Sequence, residues 1–266
     1  EINIYNPHAG NMQHLTAAQG LNNKSTWYYS FLEDAQGRKW IGSLGHGIDI
    51  LDEKKGTLQH ISRDEGLNNN SINQLFPDAK GRVWVGTGSG MNLIDSSKGT
   101  IKSWNSGSIL DILEDRKGRI WVANNGVLVF NEKENLFKTI KRNQPPMGNN
   151  ANGILEEESG EIWVSSDLGL SVIDSAEKTF KTIDNDLVKN AFCQEIIRDS
   201  RGLIWVGTYG NGIYMLDLDA GLITQFSVKE GLSDRVVYTV IEKEGKIYVG
   251  TGKGISVIAP IKHNAI

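Results

Sequence analysis

The sequence predicts an all-β protein built from one repeated unit of four antiparallel strands. A glycine-rich motif, GRVWVGTGSG at residues 81–90, recurs in five variant copies along the 266 residues. The aromatic residues of the six copies, spaced 44, 37, 42, 42 and 43 residues apart, are Trp40, Trp84, Trp121, Trp163, Trp205 and Tyr248. No stretch between the copies has helical periodicity. A period of about 42 residues with short strands and tight turns is typical of the blades of a β-propeller.

Each complete repeat is predicted to contain strands A, B, C and D. In the second repeat these strands are Ser71–Phe76, Arg82–Thr87, Met91–Ile94 and Thr100–Trp104. The turn between strands A and B carries D-x-x-G, in which the aspartate bonds the turn backbone and the glycine takes a positive φ. The motif begins at Asp34, Asp78, Asp115 and Asp199, with Glu157 and Glu242 in the other two copies. These carboxylates are interpreted as turn formers, not as catalytic groups.

Apolar residues fall on both faces of the predicted strands, which indicates blades that are covered on both sides. In strand A they stand six residues before the turn glycine, at Phe31, Leu75, Ile112, Ile154 and Ile196, with Thr239 at this position in the last repeat. In strand B they flank each tryptophan. Because a tryptophan of this kind buries roughly 150–250 Å², each is predicted to wedge between neighbouring blades.

The repeat count leaves two closures open. Residues 1–20 match strands C and D of a repeat, so they are predicted to form a half blade, and complete repeats run from residue 21 onward. We expect a single β-propeller domain over residues 1–266. It has either six blades that close alone or the six blades and half blade of a seven-bladed ring, in which case the chain is a fragment of a larger propeller array.

The charge, the hydrophobicity and the few cysteine and histidine residues argue against nucleic-acid binding, membrane insertion and catalysis. A formal charge of −4 and a pI near 5.8 argue against nucleic acid as a partner, and no apolar run is long enough for membrane insertion. The single Cys193 aligns with Tyr28 and Ile72 and is interpreted as a small buried hydrophobe. The five histidines are not expected to converge. The sequence therefore predicts no catalytic group, no metal site and no cofactor.

The repeat resembles the two-component regulator propeller family. The resemblance rests on D-x-x-G-x-[IVL]-W-[VI]-G-T and on G-L-N-N-N-S at 66–71, with departures at Ala123–Asn125 and Ser165–Ser166. It implies an extracytoplasmic, periplasmic sensor region of a hybrid two-component regulator that responds to oligosaccharides. Kinase activity would then lie in other parts of the parent protein, whose neighbouring domains would be partners.

Residues that depart from the repeat are the candidates for ligand binding, because repeat residues are fixed by the fold. They fall in the B–C and D–A loops, which a propeller gathers around one mouth of its channel. Aromatic rings, amides and charged groups suit an oligosaccharide. The predicted ligand-binding residues are Lys24, Trp27, His46, Tyr209, Asn211, Arg235 and Lys253. We expect the site near the seam between the first and last complete blades.

Three functional classes remain open from the sequence. The first is the sensor module that binds an oligosaccharide. The second is a non-catalytic interaction scaffold, including a homodimer. The third is a propeller lyase that resembles the streptogramin-type enzymes; it would need a histidine beside an acidic, metal-holding cluster, and His46 is the one histidine expected on the variable face.

Overall fold

The computed structural model confirms the predicted fold class: the chain is an all-β β-propeller of six blades. It describes residues 2–6, 11–15, 28–142, 150–174, 176–177 and 179–259, with the backbone alone at 2–6, 11–15, 28–29 and 141–142. The helical structure of these residues is one 3-10 turn, Val228–Glu230. No helix among them has the length and apolar character needed to cross a bilayer.

The chain divides into two compact units, residues 1–112 and 113–266, with the boundary inside one strand. Each unit is described by itself. The expectation of a single domain over residues 1–266 stays a prediction.

Unit 1 contains a two-stranded sheet and the first two blades. The two-stranded sheet pairs β1 (Ile2–Asn6) with β2 (Asn11–Leu15), at the place of the predicted half blade. Blade 1 consists of β3 (Tyr28–Glu33), β4 (Lys39–Ser43), β5 (Gly47–Asp52) and β6 (Thr57–Ile61). Blade 2 consists of β7 (Ile72–Pro77), β8 (Val83–Thr87), β9 (Gly90–Asp95) and β10 (Thr100–Asn105). The four strands predicted for the second repeat agree with blade 2 to within one residue at each end.

Unit 2 contains the other four blades, and its first strand spans the boundary between the units. Blade 3 consists of β11 (Asp111–Glu114), β12 (Ile120–Asn124), β13 (Gly126–Asn131) and β14 (Leu136–Arg142). Blade 4 consists of β15 (Ala151–Glu156), β16 (Ile162–Ser166), β17 (Gly169–Ile173) and β18 (Phe180–Thr182). Blade 5 consists of β19 (Cys193–Arg198), β20 (Ile204–Thr208), β21 (Ile213–Asp217) and β22 (Leu222–Phe226). In the described residues blade 6 has three strands, β23 (Val237–Lys243), β24 (Lys246–Thr251) and β25 (Gly254–Ile258).

The tryptophans occupy the predicted position between successive blades. Trp40 is fully buried in a cluster with Ile72 and Leu75 of blade 2. Trp205 is likewise buried with Val237 and Val240 of blade 6. The repeat therefore sets the core: a large ring from strand B of one blade packs on the β-branched and aliphatic residues of the next.

One of the predicted strand A core residues, Phe31, is wrong, and the core residue of the last repeat is one that the sequence pattern did not indicate. Phe31, in blade 1, is 59% exposed. Leu75, at the same position in blade 2, is only 5% exposed because it packs on blade 1. In blade 6 the core residue is Val240, which pairs with Val249, and not Thr239, which pairs with Gly250. The A–B turn of blade 6 is shorter than in the other blades, so counting back from its glycine lands one residue too early.

Candidate functional site

The candidate site lies in unit 2, where the B–C turn of blade 5 meets the loop that enters blade 6. Backbone hydrogen bonds fix this junction. The Tyr209 N–H donates to the carbonyl of Phe192 (2.8 Å), and the N–H groups of Gly210 (3.2 Å) and Gly212 (2.8 Å) donate to the carbonyl of Arg235. Tyr209 also forms an antiparallel bridge with Val236. The two blades are thus joined through main-chain atoms, which leaves the side chains at the junction available for other roles.

The turn that carries Lys253 belongs to the same junction. The Gly252 N–H donates to the carbonyl of Val236 (3.3 Å), one residue after Arg235. The Lys253 N–H donates to the Thr251 hydroxyl (3.2 Å). The structure therefore brings together four of the predicted ligand-binding residues, Tyr209, Asn211, Arg235 and Lys253.

An exposed aromatic pair forms the apolar part of the site. Tyr209 is 55% exposed and Phe192 is 40% exposed. Their ring centroids lie 5.9 Å apart, with the ring planes tilted by 56°. Exposed aromatic pairs of this kind offer one ring face to a ligand while the neighbouring ring holds the first in place.

Charged side chains flank the aromatic pair. Arg235 and Lys253 are both exposed, and none of the ion pairs formed by the described residues involves either of them. Asp234 is half-buried and accepts a hydrogen bond from the Arg235 N–H (2.6 Å) through Oδ1. The site is therefore amphipathic, with an excess of positive charge at its edge.

Asn211 is more constrained than the sequence predicts. Its N–H donates to the Thr208 hydroxyl (3.1 Å), and its carbonyl accepts from Gln225 (2.7 Å). Its side chain also interacts with Tyr214: burial raises the pKa of the Tyr214 hydroxyl, and a hydrogen bond with Asn211 partly opposes that rise. We therefore regard Asn211 as a support of the turn as much as a ligand contact.

The other predicted site residues are not brought to this junction by the structure. His46 lies in unit 1, half-buried in the turn between β4 and β5. Lys24 and Trp27 lie outside the described residues, so their part in a site stays a prediction. Sequence reasoning missed Phe192, although its position directly before Cys193 corresponds to that of Trp27 before Tyr28.

The described residues offer little for catalysis. They contain no group of three or more histidine, cysteine, aspartate or glutamate side chains that could hold a metal ion. His60 Nδ1 contacts Asp49 Oδ1 at 2.8 Å, on strands β6 and β5. Cys193 is fully buried, and desolvation raises the pKa of its thiol to about 12, so the reactive thiolate does not form near neutral pH.

The opposite end of the blades carries an ionic cluster that was not predicted. In four blades the D-x-x-G aspartate accepts a hydrogen bond from the indole Nε1 of the tryptophan six residues later: Asp34 from Trp40 (2.7 Å), Asp78 from Trp84 (3.0 Å), Asp115 from Trp121 (2.8 Å) and Asp199 from Trp205 (2.9 Å). In blade 4 the acid is Glu157, and the Trp163 Nε1 has no hydrogen-bond partner in the described part of the chain. The aspartates therefore fix the core tryptophans as well as the turns.

Hydrogen bonds lower the pKa of three of these aspartates. For Asp34, Asp115 and Asp199, burial works against the charged form, but hydrogen bonds from tryptophan, arginine and the turn backbone outweigh it and lower the pKa below the ordinary value. An arginine also covers the ring in three blades, with Cζ of Arg119 5.0 Å from the centre of the Trp121 ring. At this end of the blades the repeat residues fix the core tryptophans and the turns.

Family comparison agrees with the repeat pattern. Residues 66–89 and 103–126 match the model of the two component regulator propeller family. These two segments are similar to that family's repeat. No curated protein matches the sequence. In the first matched segment, the Asn68 side chain donates to the carbonyls of Met91 (3.4 Å) and Trp104 (3.1 Å), so the G-L-N-N-N-S part of the repeat clamps the loop onto its own blade.

Solved structures that contain similar propellers cover three kinds of protein. The extracellular domain of the putative one component system BT4673 from B. thetaiotaomicron is 18% identical, with a TM-score of 0.72, over 92% of this chain and 36% of that chain. PorZ, a surface component of the type-IX secretion system of Porphyromonas gingivalis, is 17% identical, with a TM-score of 0.69, over 88% of this chain and 38% of that chain. Virginiamycin B lyase from Staphylococcus aureus is 16% identical, with a TM-score of 0.74, over 95% of this chain and 85% of that chain.

At these identities the likeness shows the fold alone. The chain also spans less than two thirds of the PorZ and BT4673 chains that it matches. A similar propeller occurs in a surface component, in the extracellular domain of a putative one component system and in an enzyme, so function has to be argued from the side chains of this chain.

Proposed function

We propose that the chain is a sensor module of a two-component regulator and that it binds an oligosaccharide at the junction of blades 5 and 6. The observation that carries the proposal is the exposed Phe192–Tyr209 pair, flanked by Arg235 and Lys253. Sugar rings present apolar C–H faces and polar edges, and an aromatic face beside charged donors suits both. The module works outside the cytoplasm, in the periplasm, and passes its signal to a kinase in another part of the parent regulator.

The junction also gives the proposal a route for signalling. A ligand that contacts both Tyr209 and Arg235 bridges two blades that are already joined through the Arg235 carbonyl. Binding would favour the closed form of this junction over any opened form by the difference in affinity for the two. Neighbouring domains of the parent protein are the partners that would sense such a change.

The proposed module is not an enzyme. The described histidines stand apart from any metal-holding set of side chains, and the buried Cys193 thiol is unsuited to nucleophilic attack. We expect no turnover of quinupristin, the ligand of the virginiamycin B lyase structure, by the purified chain. Product that appears with saturable kinetics, and that disappears when His46 is changed to alanine, would contradict this expectation.

A glycan array followed by calorimetry tests the binding proposal. An oligosaccharide selected on the array should lose at least tenfold in affinity on Tyr209→Ala and on Arg235→Ala. Lys117→Ala, in the A–B turn of blade 3, is the matched control and should bind as the parent chain does. If the array gives no binder and the chain instead forms a homodimer at micromolar concentration, the interaction scaffold becomes the better description.

A further inference from the structure

We propose a second site, for the carboxylate of a small acidic ligand such as a uronic acid, between blades 1 and 2. It lies in unit 1 at the end of the blades that carries the D-x-x-G turns. A cavity of about 360 Å³ opens there, lined by side chains that include Arg38, Lys55, Lys80, Ser96 and Ser97. This site is independent of the junction between blades 5 and 6, which involves the B–C turns of unit 2.

Positive charge dominates the lining of the cavity. Arg38, Lys55 and Lys80 face one acidic lining residue, Asp52, whose carboxylate lies 3.5 Å from the Lys55 ammonium. The Arg38 guanidinium is already held in place, because its Nε donates to Asp34 (2.6 Å) and its Nη2 to the Ser96 hydroxyl (3.2 Å). A preorganised guanidinium loses little entropy when it binds a further oxyanion.

In blade 3 the equivalent arginine binds a second carboxylate in addition to the aspartate of its own turn. Arg119 is the equivalent of Arg38, and its Nε donates to Asp115 at 2.6 Å. Its Nη1 pairs with Glu177, a carboxylate from the C–D turn of blade 4, and the Lys138 ammonium lies 4.0 Å from the same carboxylate. The protein itself therefore places a carboxylate on this guanidinium and beside a lysine.

The cleft between blades 1 and 2 lacks that internal carboxylate. The C–D turn of blade 2 presents Ser96 to Arg38, where the C–D turn of blade 4 presents Glu177 to Arg119. Lys98 stands in this turn where Glu177 stands in blade 4, and it pairs with Asp95 (2.8 Å), so the cavity beside Ser96 receives no carboxylate from this position. An external carboxylate would fill the place that Glu177 fills in unit 2, with serine hydroxyls as further donors.

Affinity at such a site is modest because its charges are exposed. Lys55 has 77% of its side chain exposed, so solvent and salt screen its attraction for an anion. We expect saturable binding of free glucuronate at millimolar concentration in low salt. A larger acidic glycan would add contacts to this one.

Nuclear magnetic resonance titration of the 266-residue chain tests the site. D-glucuronate should shift the backbone amide signals of Lys80, Gly81, Ser96 and Ser97 with a single saturation curve. D-glucose, the neutral analogue, should leave them unchanged.

Two substitutions decide between a built site and a general attraction of anions. Ser96→Glu supplies the missing internal carboxylate and should reduce glucuronate binding at least tenfold, whereas Gln59→Glu adds the same charge on strand β6 of blade 1 and should leave it within twofold. Glu177→Ser should create a new glucuronate response around Arg119. Shifts by glucose, or equal losses in the two glutamate variants, would overturn the proposal. Loss of the response on Tyr209→Ala would overturn its independence from the first site.

Discussion

The B–C turns of blade 1 and blade 5 share one backbone and carry different side chains. In blade 1 the Gly47 N–H donates to the carbonyl of Asn70, and in blade 5 the Gly212 N–H donates to the carbonyl of Arg235, both at 2.8 Å. The two glycines have φ of 80° and 79°. A hydroxyl from strand B, Ser43 or Thr208, closes each turn by donating to the glycine carbonyl.

The side chains on these two turns differ in what they offer. Leu44 and a half-buried His46 stand in blade 1 where Tyr209 and Asn211 stand in blade 5. The Asn70 side-chain oxygen accepts a hydrogen bond from the Arg63 N–H (2.8 Å), whereas the Arg235 side chain is exposed and has no ion pair among the described residues. Main-chain hydrogen bonds hold both turns, so their side chains can change without loss of the fold. The ligand contacts that we propose for blade 5 use that freedom.

The largest expected effect tests whether the two blades also share their cores. Trp40→Ala and Trp205→Ala should each lower the free energy of unfolding by about 3–5 kcal/mol, because both rings are fully buried and leave a cavity. Urea denaturation of the full chain measures the loss. Tyr209→Ala, at an exposed position, should change stability by about 0.5 kcal/mol or less. A loss below about 1 kcal/mol for one of the two tryptophans would show that the cores of blades 1 and 5 are not equivalent.

A smaller loss tests the shared turn. A Cβ added at Gly47 or Gly212 would lie 2.2 Å from a carbonyl oxygen, of Ile61 or Phe226 respectively. Gly47→Ala and Gly212→Ala should therefore each cost at least about 2 kcal/mol, from the positive φ and from this clash. Gly221→Ala is the control, since it has a φ of 65° with no atom within 4 Å of the added Cβ. We expect about 1 kcal/mol there. Unequal losses at 47 and 212 would mean that the turns differ.

Blades 1 and 5 also carry equivalent aspartates in their A–B turns, and these make stability depend on pH. The folded-state pKa of Asp34 and of Asp199 is below the ordinary value, so the unfolded chain binds more protons in acid. This stabilisation is present above a pH of about 4 and is lost as the pH falls through the folded-state pKa. Asp199→Asn should flatten the acid limb of the stability curve, whereas Asp184→Asn, at an exposed residue, should not. An unchanged acid limb in Asp199→Asn would contradict the role of the Trp205–Asp199 hydrogen bond.

The sequence predicts the repeated backbone well because each turn and core position is specified by residues close in the chain. It does not reveal that Asp199 and Trp205 meet, since a separation of six residues along two strands gives no direct sign of contact. Val240 was missed for a related reason: a shorter hairpin turn, with Lys243 paired to Lys246, shifts the register relative to the glycine. Phe192 was missed because its contact with Tyr209 depends on how the start of strand A approaches the B–C turn.

The smallest expected effect in free energy is the one that bears on function. Tyr209→Leu gives blade 5 the side chain that blade 1 has at Leu44 and keeps the turn backbone, so stability should stay within about 0.5 kcal/mol. Loss of the aromatic face should weaken an oligosaccharide selected on the array by about 1 kcal/mol, or roughly fivefold. The reciprocal Leu44→Tyr should leave that affinity unchanged, because blade 1 has Asn70 where blade 5 has Arg235, so the new ring has no arginine beside it. Calorimetry of the three proteins measures both changes. If Leu44→Tyr alters binding and Tyr209→Leu does not, the ligand contacts the B–C turn of blade 1 and not that of blade 5.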